Sequence, residues 1–349
     1  MKPSLILYGA NGFSAKLILE KLISAGVKPV LAGRNQIKIA ETARKYGYEF
    51  KVFDLSNRQI VVESIKGFHT LLNCAGPFKY TAQILIDACL DASVNYIDIT
   101  GEIPVIEYAW EMNNEALRKN IVIIPSAGFD VIPTDCLAKK LSEKLPSAEI
   151  LELGLLNKKG KISRGTMITT LEMAAEKGKV RIDENLVDSR IGEYSVKLNN
   201  EKFKFHGISI PWGDVASAFY STGIPNIKVY LGLPALIFHL RKPLLLLAEL
   251  LKIRFLRDFL KWLIYKIKSE SEEYDPSRAQ VLIWGRVTDK NGESYLEVYR
   301  IEEGYSLTAV GATDIVIKVL NNEVKPGTHT PSQIFGSEYF KKCVIEKII

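Results

Sequence analysis

Two hydrophobic periods alternate along the first third of the chain. Leu5-Ile6-Leu7-Tyr8 is a short unbroken apolar run, Gly9-Ala10-Asn11-Gly12 interrupts it, and Leu17, Ile18, Leu22 and Ile23 then recur at helical spacing as far as Gly26. A run of that length bounded by glycine reads as a buried strand, and the following recurrence reads as a helix with one buried stripe. The alternation continues through Pro29–Ala32, Tyr48–Phe53, His69–Cys74, Val94–Ile99 and Ile121–Ile124, with helical patterns between them. Six such alternations predict a parallel sheet covered on both faces, an α/β domain of Rossmann type over residues 1–128.

The pattern then changes. Ala148–Leu156 alternates as a strand, Glu193–Leu198 and Lys202–Phe205 flank the turn Asn199-Asn200-Glu201, and Ala279–Thr288 and Ser294–Ile301 flank Asp289-Lys290-Asn291-Gly292. Asn-Gly suits left-handed backbone angles, so the second of these is the stronger hairpin signal. A helix is predicted from about Leu307 to Leu320. Residues 129–324 are therefore expected to form an α+β substrate or dimerisation domain with a mostly antiparallel sheet and a reaction cleft beside the first domain.

One stretch fits neither period of a soluble core. Residues 231–268 hold Leu244-Leu245-Leu246-Leu247, then Phe255, Leu256, Phe259, Leu260, Trp262, Leu263, Ile264 and Tyr265, threaded with Arg241, Lys242, Lys252, Arg254, Arg257, Lys261, Lys266 and Lys268. The charges interrupt every apolar run too often for a spanning helix. A basic amphipathic helix with Trp and Phe on its other face has the composition of an interfacial membrane helix. Packing on its own domain, on a second subunit of a homodimer, or over an acyl substrate are the alternatives.

Candidate chemistry begins at the first turn. Gly9 and Gly12 stand at the spacing that lets a backbone pass close to a pyrophosphate. The helix opening with Phe13 and Ser14 aims its N–H groups and positive dipole end at that anion. Gly9, Asn11, Gly12, Phe13 and Ser14 are therefore candidate cofactor-binding residues. The second run ends in Gly33-Arg34-Asn35, where an acidic residue would bind a ribose 2′-hydroxyl and repel a 2′-phosphate. Arg34 stands there instead, and a guanidinium grips a phosphate through two parallel hydrogen bonds, so NADP is favoured over NAD. A solvated surface arginine is the alternative. Asp54 ends the third run, placed to meet the adenine edge or to cap the next helix. Ala75-Gly76-Pro77 ends the fourth, beside the glycine turn at the carboxyl edge of the sheet.

Composition narrows the picture. The chain has 349 residues, enough for two cores, and a formal net charge of +6, too mild to indicate nucleic acid. Four cysteines form no CxxC pair and only four histidines are present, so no metal site is expected. The thiols fit a reducing compartment. The first apolar run reads as a strand rather than a signal peptide, and a cytoplasmic location, peripheral at a membrane through 231–268, is expected.

Several motifs in order resemble the saccharopine dehydrogenase-like superfamily, in its branch of trans-acting enoyl reductases and saccharopine dehydrogenase-like oxidoreductases. They are Tyr8-Gly9-Ala10-Asn11-Gly12-Phe13, Leu31-Ala32-Gly33-Arg34, Asn73-Cys74-Ala75-Gly76-Pro77-Phe78, Tyr96-Ile97-Asp98-Ile99-Thr100-Gly101-Glu102 and Pro125-Ser126-Ala127-Gly128-Phe129-Asp130 with its continuation to Asp135. Ser163-Arg164-Gly165-Thr166, Pro211–Ala216 and Tyr220–Asn226 follow. The resemblance implies a nicotinamide-dependent reductase with a Rossmann domain and a second α+β domain, and it suggests that residues 325–349 return to the first. Arg164 departs from the family, where a glycine is frequent.

Reduction of a C=C bond conjugated to a thioester forms an enolate that needs hydrogen-bond donors and a proton. Tyr80, three residues beyond Pro77, is the first candidate donor, and Asp98 is expected to face the cleft as a ribose ligand or proton relay. Glu102, Asp130 and Arg164 are candidate substrate ligands, with helix capping, turn structure and surface exposure as their alternatives. The expected function is NADP-dependent reduction of a lipid-like acyl or polyprenyl C=C bond. The alternatives are an amino-acid imine oxidoreductase, which needs several converging cations where only Arg164 and Lys158, Lys159 and Lys161 offer themselves, and a membrane-associated nucleotide-binding protein without turnover.

Overall fold

A computed structural model describes residues 5–158, 167–168, 171, 177–240, 249–266 and 280–349. The described residues form sixteen strands: β1 (Leu5–Tyr8), β2 (Val30–Gly33), β3 (Phe50–Val52), β4 (Thr70–Asn73), β5 (Asn95–Asp98), β6 (Val122–Ile124), β7 (Ala148–Lys158), β8 (Gly178–Ile182), β9 (Asn185–Ser189), β10 (Ser195–Asn199), β11 (Lys204–Ser209), β12 (Asn226–Gly232), β13 (Gln280–Asp289), β14 (Ser294–Ile301), β15 (Gly327–Thr328) and β16 (Val344–Lys347).

The first sheet has the order β15-β6-β5-β4-β1-β2-β3, and every pair in it is parallel. β1 and β4 are buried along their whole length, and Thr70 and Asn73 are the buried polar residues at the two ends of β4. β3 is an edge strand whose three residues are all exposed, so this run is not buried on both faces as its neighbours are. A core of Ile6, Leu71, Leu85, Ile86, Tyr96, Val105 and Ile123 fills the space between sheet and helices.

The second sheet runs β10-β11-β12-β7-β13-β14-β16, with β8 joining β12 and β9 joining β8. Only β12 and β7 pair in parallel among the described strands, so the sheet is mostly antiparallel. Both hairpins read from the sequence are present, with β10 paired to β11 and β13 to β14. Asp289 closes the second turn by accepting from the Asn291 and Glu293 N–H groups at 2.8 and 2.9 Å. Trp284, Phe205 and Tyr230 stack into the core of this sheet.

Contacts divide the chain into Met1–Ile132 with Gly304–Phe335, and Pro133–Glu303 with Gly336–Ile349. This departs from the expected boundaries at both ends. The helix Gly304–Leu320 belongs to the first unit, because its buried residues, including Leu307, Ala309, Ala312, Ile315 and Val316, pack on the helix Phe13–Ser24. The return of residues 325–349 is split. Gly327 and Thr328 extend the parallel sheet beside Val122 and Ile123, whereas Val344–Lys347 pairs with β14 in the second sheet. Of residues 231–268, the described portion holds the end of β12, a helix Ala235–His239, a 3-10 turn Glu249–Lys252 and a helix Arg254–Lys266. Leu244–Leu247 lie outside the described residues. No described helix is long and apolar enough to cross a membrane.

Candidate functional site

Register brings three strand ends together. Tyr8 of β1 lies opposite Asn73 of β4, and Asn73 opposite Asp98 of β5, so the chain leaves the sheet at three adjacent points. The glycine turn, the loop from Cys74 to Tyr80 and the loop from Ile99 to Glu102 are therefore neighbours at the carboxyl edge, the place where open parallel sheets bind ligands.

Gly9 takes φ +80°, and a Cβ there would lie 2.8 Å from the Ala75 nitrogen and 2.9 Å from the Ala75 Cβ. A side chain would therefore meet both positive-φ strain and the backbone of the neighbouring loop. Gly9 N–H donates to the Ala32 carbonyl at 2.8 Å and its own carbonyl accepts from Gly12 N–H at 2.9 Å, which fixes the turn. The helix Phe13–Ser24 starts at Gly12 with no side-chain cap. Glycine at this position leaves the first-turn N–H groups without a capping side chain from the N-cap residue. The phenyl ring of Phe13 meets Tyr305 edge-on, at 4.9 Å between centroids. Ser14 is half-buried in the first turn. Asn11 reaches toward Gly33, with its Oδ1 3.7 Å from the position of a Cβ there.

Arg34 follows β2 and is exposed. It and Asp54 bear on the Tyr8 phenol, which burial pushes up to about 12 while Arg34 lowers it and Asp54 raises it. Asp54 does not cap the following helix. Its carboxylate accepts from Ser56 Oγ at 2.5 Å and Ser56 N–H at 2.9 Å, which holds it below the usual carboxylate range. Asn57 caps that helix instead, accepting from Gln59 and Ile60 N–H.

The loop after β4 is held from two sides. Ala75 N–H donates to Asn73 Oδ1 at 3.0 Å, the Ala75 carbonyl accepts from Thr81 Oγ1 at 2.7 Å, and the Gly76–Pro77 peptide is cis. Glu102 was expected to face the cleft as a substrate ligand. Its two carboxylate oxygens instead accept from Phe78 N–H at 2.7 Å and Lys79 N–H at 2.8 Å, and the residue is buried. Asp98, expected to face the cleft and relay protons, is fully buried. One oxygen accepts from Tyr96 OH at 2.8 Å, the other from Thr100 and Ser126 N–H at 3.0 and 2.9 Å. Burial nevertheless pushes it up to about 6. Both carboxylates thus organise loops, and an apolar interior makes such satisfied bonds expensive to break.

Asp130 is half-buried against Gly101, where a Cβ would lie 2.9 Å from its carboxylate. Enclosure, reinforced by the charge of Glu102, pushes it up to about 6. Tyr80 ends the 3-10 turn Phe78–Tyr80 and is 64% exposed, with the Lys79 ammonium over its ring. Arg164, Lys159 and Lys161 lie outside the described residues. The sequence reading missed the chain Asn73–Tyr96–Asp98, in which Asn73 Nδ2 donates to Tyr96 OH at 3.1 Å. Its signal was the spacing of Tyr96 and Asp98, which share one face of β5. Among the described residues no cluster of metal-ligating side chains occurs.

Residues 5–124 match the family described as Saccharopine dehydrogenase NADP binding domain. The match covers the whole alternating β/α run from β1 to β6, and the uncapped glycine turn fits the dinucleotide the family binds. Similar proteins include a saccharopine dehydrogenase-like oxidoreductase of Bos taurus, 28% identical over 151 residues, 38% of this chain and 35% of the relative. A trans-acting enoyl reductase of Mycobacterium tuberculosis is 29% identical over 139 residues, 38% of this chain and 33% of the relative. A lipid droplet localized protein of Caenorhabditis elegans is 24% identical over 145 residues, 37% of this chain and 34% of the relative. The matched stretch thus spans about a third of the length of these curated relatives. The structure of apo saccharopine dehydrogenase (L-Glu forming) from Saccharomyces cerevisiae aligns with a TM-score of 0.62 at 13% identity, covering 98% of each chain. It shares the fold.

Proposed function

We propose that this chain is an NADP-dependent oxidoreductase that reduces a C=C bond in an apolar acyl or polyprenyl substrate. The observation that carries the reading is the glycine turn at β1, left without a side-chain cap and followed at the end of β2 by Arg34. Backbone groups of Gly9, Asn11, Gly12, Phe13 and Ser14 would hold the pyrophosphate, and Arg34 would hold the 2′-phosphate. Asp54 would meet the adenosine end and Ala75-Gly76-Pro77 the nicotinamide end. When bound, the cofactor supplies a hydride.

The protein's task is then positional and protic. Glu102 fixes the Phe78–Lys79 backbone and with it Tyr80, whose phenol would donate a hydrogen bond to the enolate oxygen of an α,β-unsaturated acyl acceptor, the α-carbon then taking a proton to complete the reduction. Asp130 contributes to the substrate side of the same edge. The enoyl reductase among the similar proteins favours a C=C acceptor, and the lipid droplet localized protein favours an apolar one. A lipid-like acceptor fits a peripheral position at a lipid boundary.

Fluorescence titration with NADPH and NADH, followed by NADPH oxidation across unsaturated acyl thioesters and polyprenyl compounds, tests the reading. Tighter binding of NADPH and turnover on an apolar acceptor are expected. Tighter binding of NADH refutes the cofactor assignment, and turnover confined to keto acids with amino acids transfers the enzyme to imine chemistry.

A further inference from the structure

The helix Arg254–Lys266 buries none of its thirteen residues, and its outward half is the wrong half for a soluble protein. Leu256, Arg257, Leu260, Lys261 and Ile264 are half-buried, while Phe255, Phe259, Trp262, Leu263 and Tyr265 are exposed. Phe255 is 82% exposed and Trp262 49%. At about 100° per residue, Phe255, Phe259 and Trp262 fall on one stripe, at positions i, i+4 and i+7. Phe259 and Trp262 stack on each other at 5.8 Å between centroids. Leu250 and Ile253, just before the helix, are exposed as well.

Cations border this stripe. Arg254 opens the helix and Lys266 closes it, with the Lys266 ammonium 3.8 Å from the Trp262 ring centre. Arg257 and Lys261 fall on the other, half-buried side with Leu260 and Ile264, and Asp258, the helix's lone carboxylate, lies 3.7 Å from Arg254 and 3.6 Å from Lys261. An exposed aromatic stripe with Arg254 and Lys266 at its two ends complements a surface that is negative outside and apolar a few ångströms deeper. A second protein surface would have to supply an apolar groove with a carboxylate at either end. At about 1.5 Å per residue the helix is far shorter than a bilayer's hydrocarbon core, so it lies in the surface plane.

We infer that the helix Arg254–Lys266 is a membrane-docking element that inserts Phe255, Phe259 and Trp262 among the acyl chains of an anionic lipid surface, with Arg254 and Lys266 at the phosphates. This site is independent of the reductase reading, because it requires neither cofactor nor turnover.

The full chain, without NADPH, is floated with vesicles of phosphatidylcholine alone and of phosphatidylcholine with phosphatidylglycerol at physiological salt. Binding to the anionic vesicles at least about tenfold stronger than to neutral ones is expected, weakening as salt rises. Replacing Phe255, Phe259 and Trp262 together by Ser should reduce the partition coefficient by about tenfold or more. Arg254→Glu with Lys266→Glu should remove the preference for anionic lipid. A second measurement uses the unaltered protein: brominated acyl chains should quench part of its tryptophan emission in anionic vesicles. Absence of quenching, or equal binding by the triple variant, overturns the proposal. So does a concentration-dependent dimer in lipid-free sedimentation that the triple variant abolishes, since the stripe would then be a subunit interface.

Discussion

The carboxyl edge of the parallel sheet and the helix Arg254–Lys266 handle their demanding groups in opposite ways. At the sheet edge the polar groups of greatest potential cost are enclosed and bonded, with Asp98 taking three donors and Glu102 two backbone N–H groups. At the helix the apolar groups of greatest cost are turned outward, with Phe255 the most exposed of them. The first region is built to hold loops still around a turn of backbone. The second gains nothing within its own fold from the surface it displays. Stability and binding should therefore separate: residues of the first region govern folding, and those of the second govern partition.

The largest effect belongs to Gly9→Val. Its side chain must occupy a position 2.8 Å from the Ala75 nitrogen at φ +80°, and the strain and displacement should cost about 3 kcal/mol or more. Chemical denaturation reads that loss, and NADPH titration should show no saturable binding. Glu102→Gln comes next. One of its two backbone donors, Phe78 or Lys79, loses its acceptor in a buried place, at about 1–3 kcal/mol. Denaturation curves read the cost, and faster amide exchange localised to residues 75–80 would show that the loop is what Glu102 holds.

Asp98 adds a pH signature to the same region. Its folded value of about 6 lies above the value of an unfolded aspartate. Between those values the folded chain binds a proton that the unfolded chain has released. Stability is therefore fullest below the unfolded pKa and is lost as pH rises through about 6, by roughly 3 kcal/mol for a shift near two units. Asp98→Asn keeps acceptors for Thr100 and Ser126 but cannot ionise. Urea denaturation from pH 4 to pH 7 should show a flatter profile for the variant, with the residual slope carried by Asp130, which also titrates near 6.

What the sequence revealed follows the same division. The glycine turn was legible because its requirements are local: Gly9, Gly12 and the run before them define the backbone without reference to distant residues. The hairpins at Asn199 and Asn291 were legible for the same reason. Asp98 and Glu102 were not, because a carboxylate at a strand end looks alike whether it faces a ligand or a loop. Here the decision came from Ser126 N–H and from Phe78 and Lys79 N–H, far away in the chain. The helix Gly304–Leu320 was visible as a helix, yet nothing in its period named the helix Phe13–Ser24 as its partner. The aromatic helix was conspicuous by composition, but only the burial of individual residues revealed that Phe255 and Trp262 face outward and Leu260 inward.

The smallest stability effect provides the sharpest contrast. Phe255→Ser removes a ring that is already 82% exposed, so little apolar area returns to water on unfolding and the change should stay within about 0.5 kcal/mol. The corresponding truncation at Phe205, 1% exposed and in edge contact with Trp284, should cost about 3–5 kcal/mol. Thermal unfolding of the two variants side by side measures the difference. A large loss at Phe255 would mean that the ring packs on something within the folded protein, and the outward stripe would then belong to the core rather than to a lipid surface. A neutral result there leaves a residue that costs the fold nothing to change, whose remaining use must lie outside it.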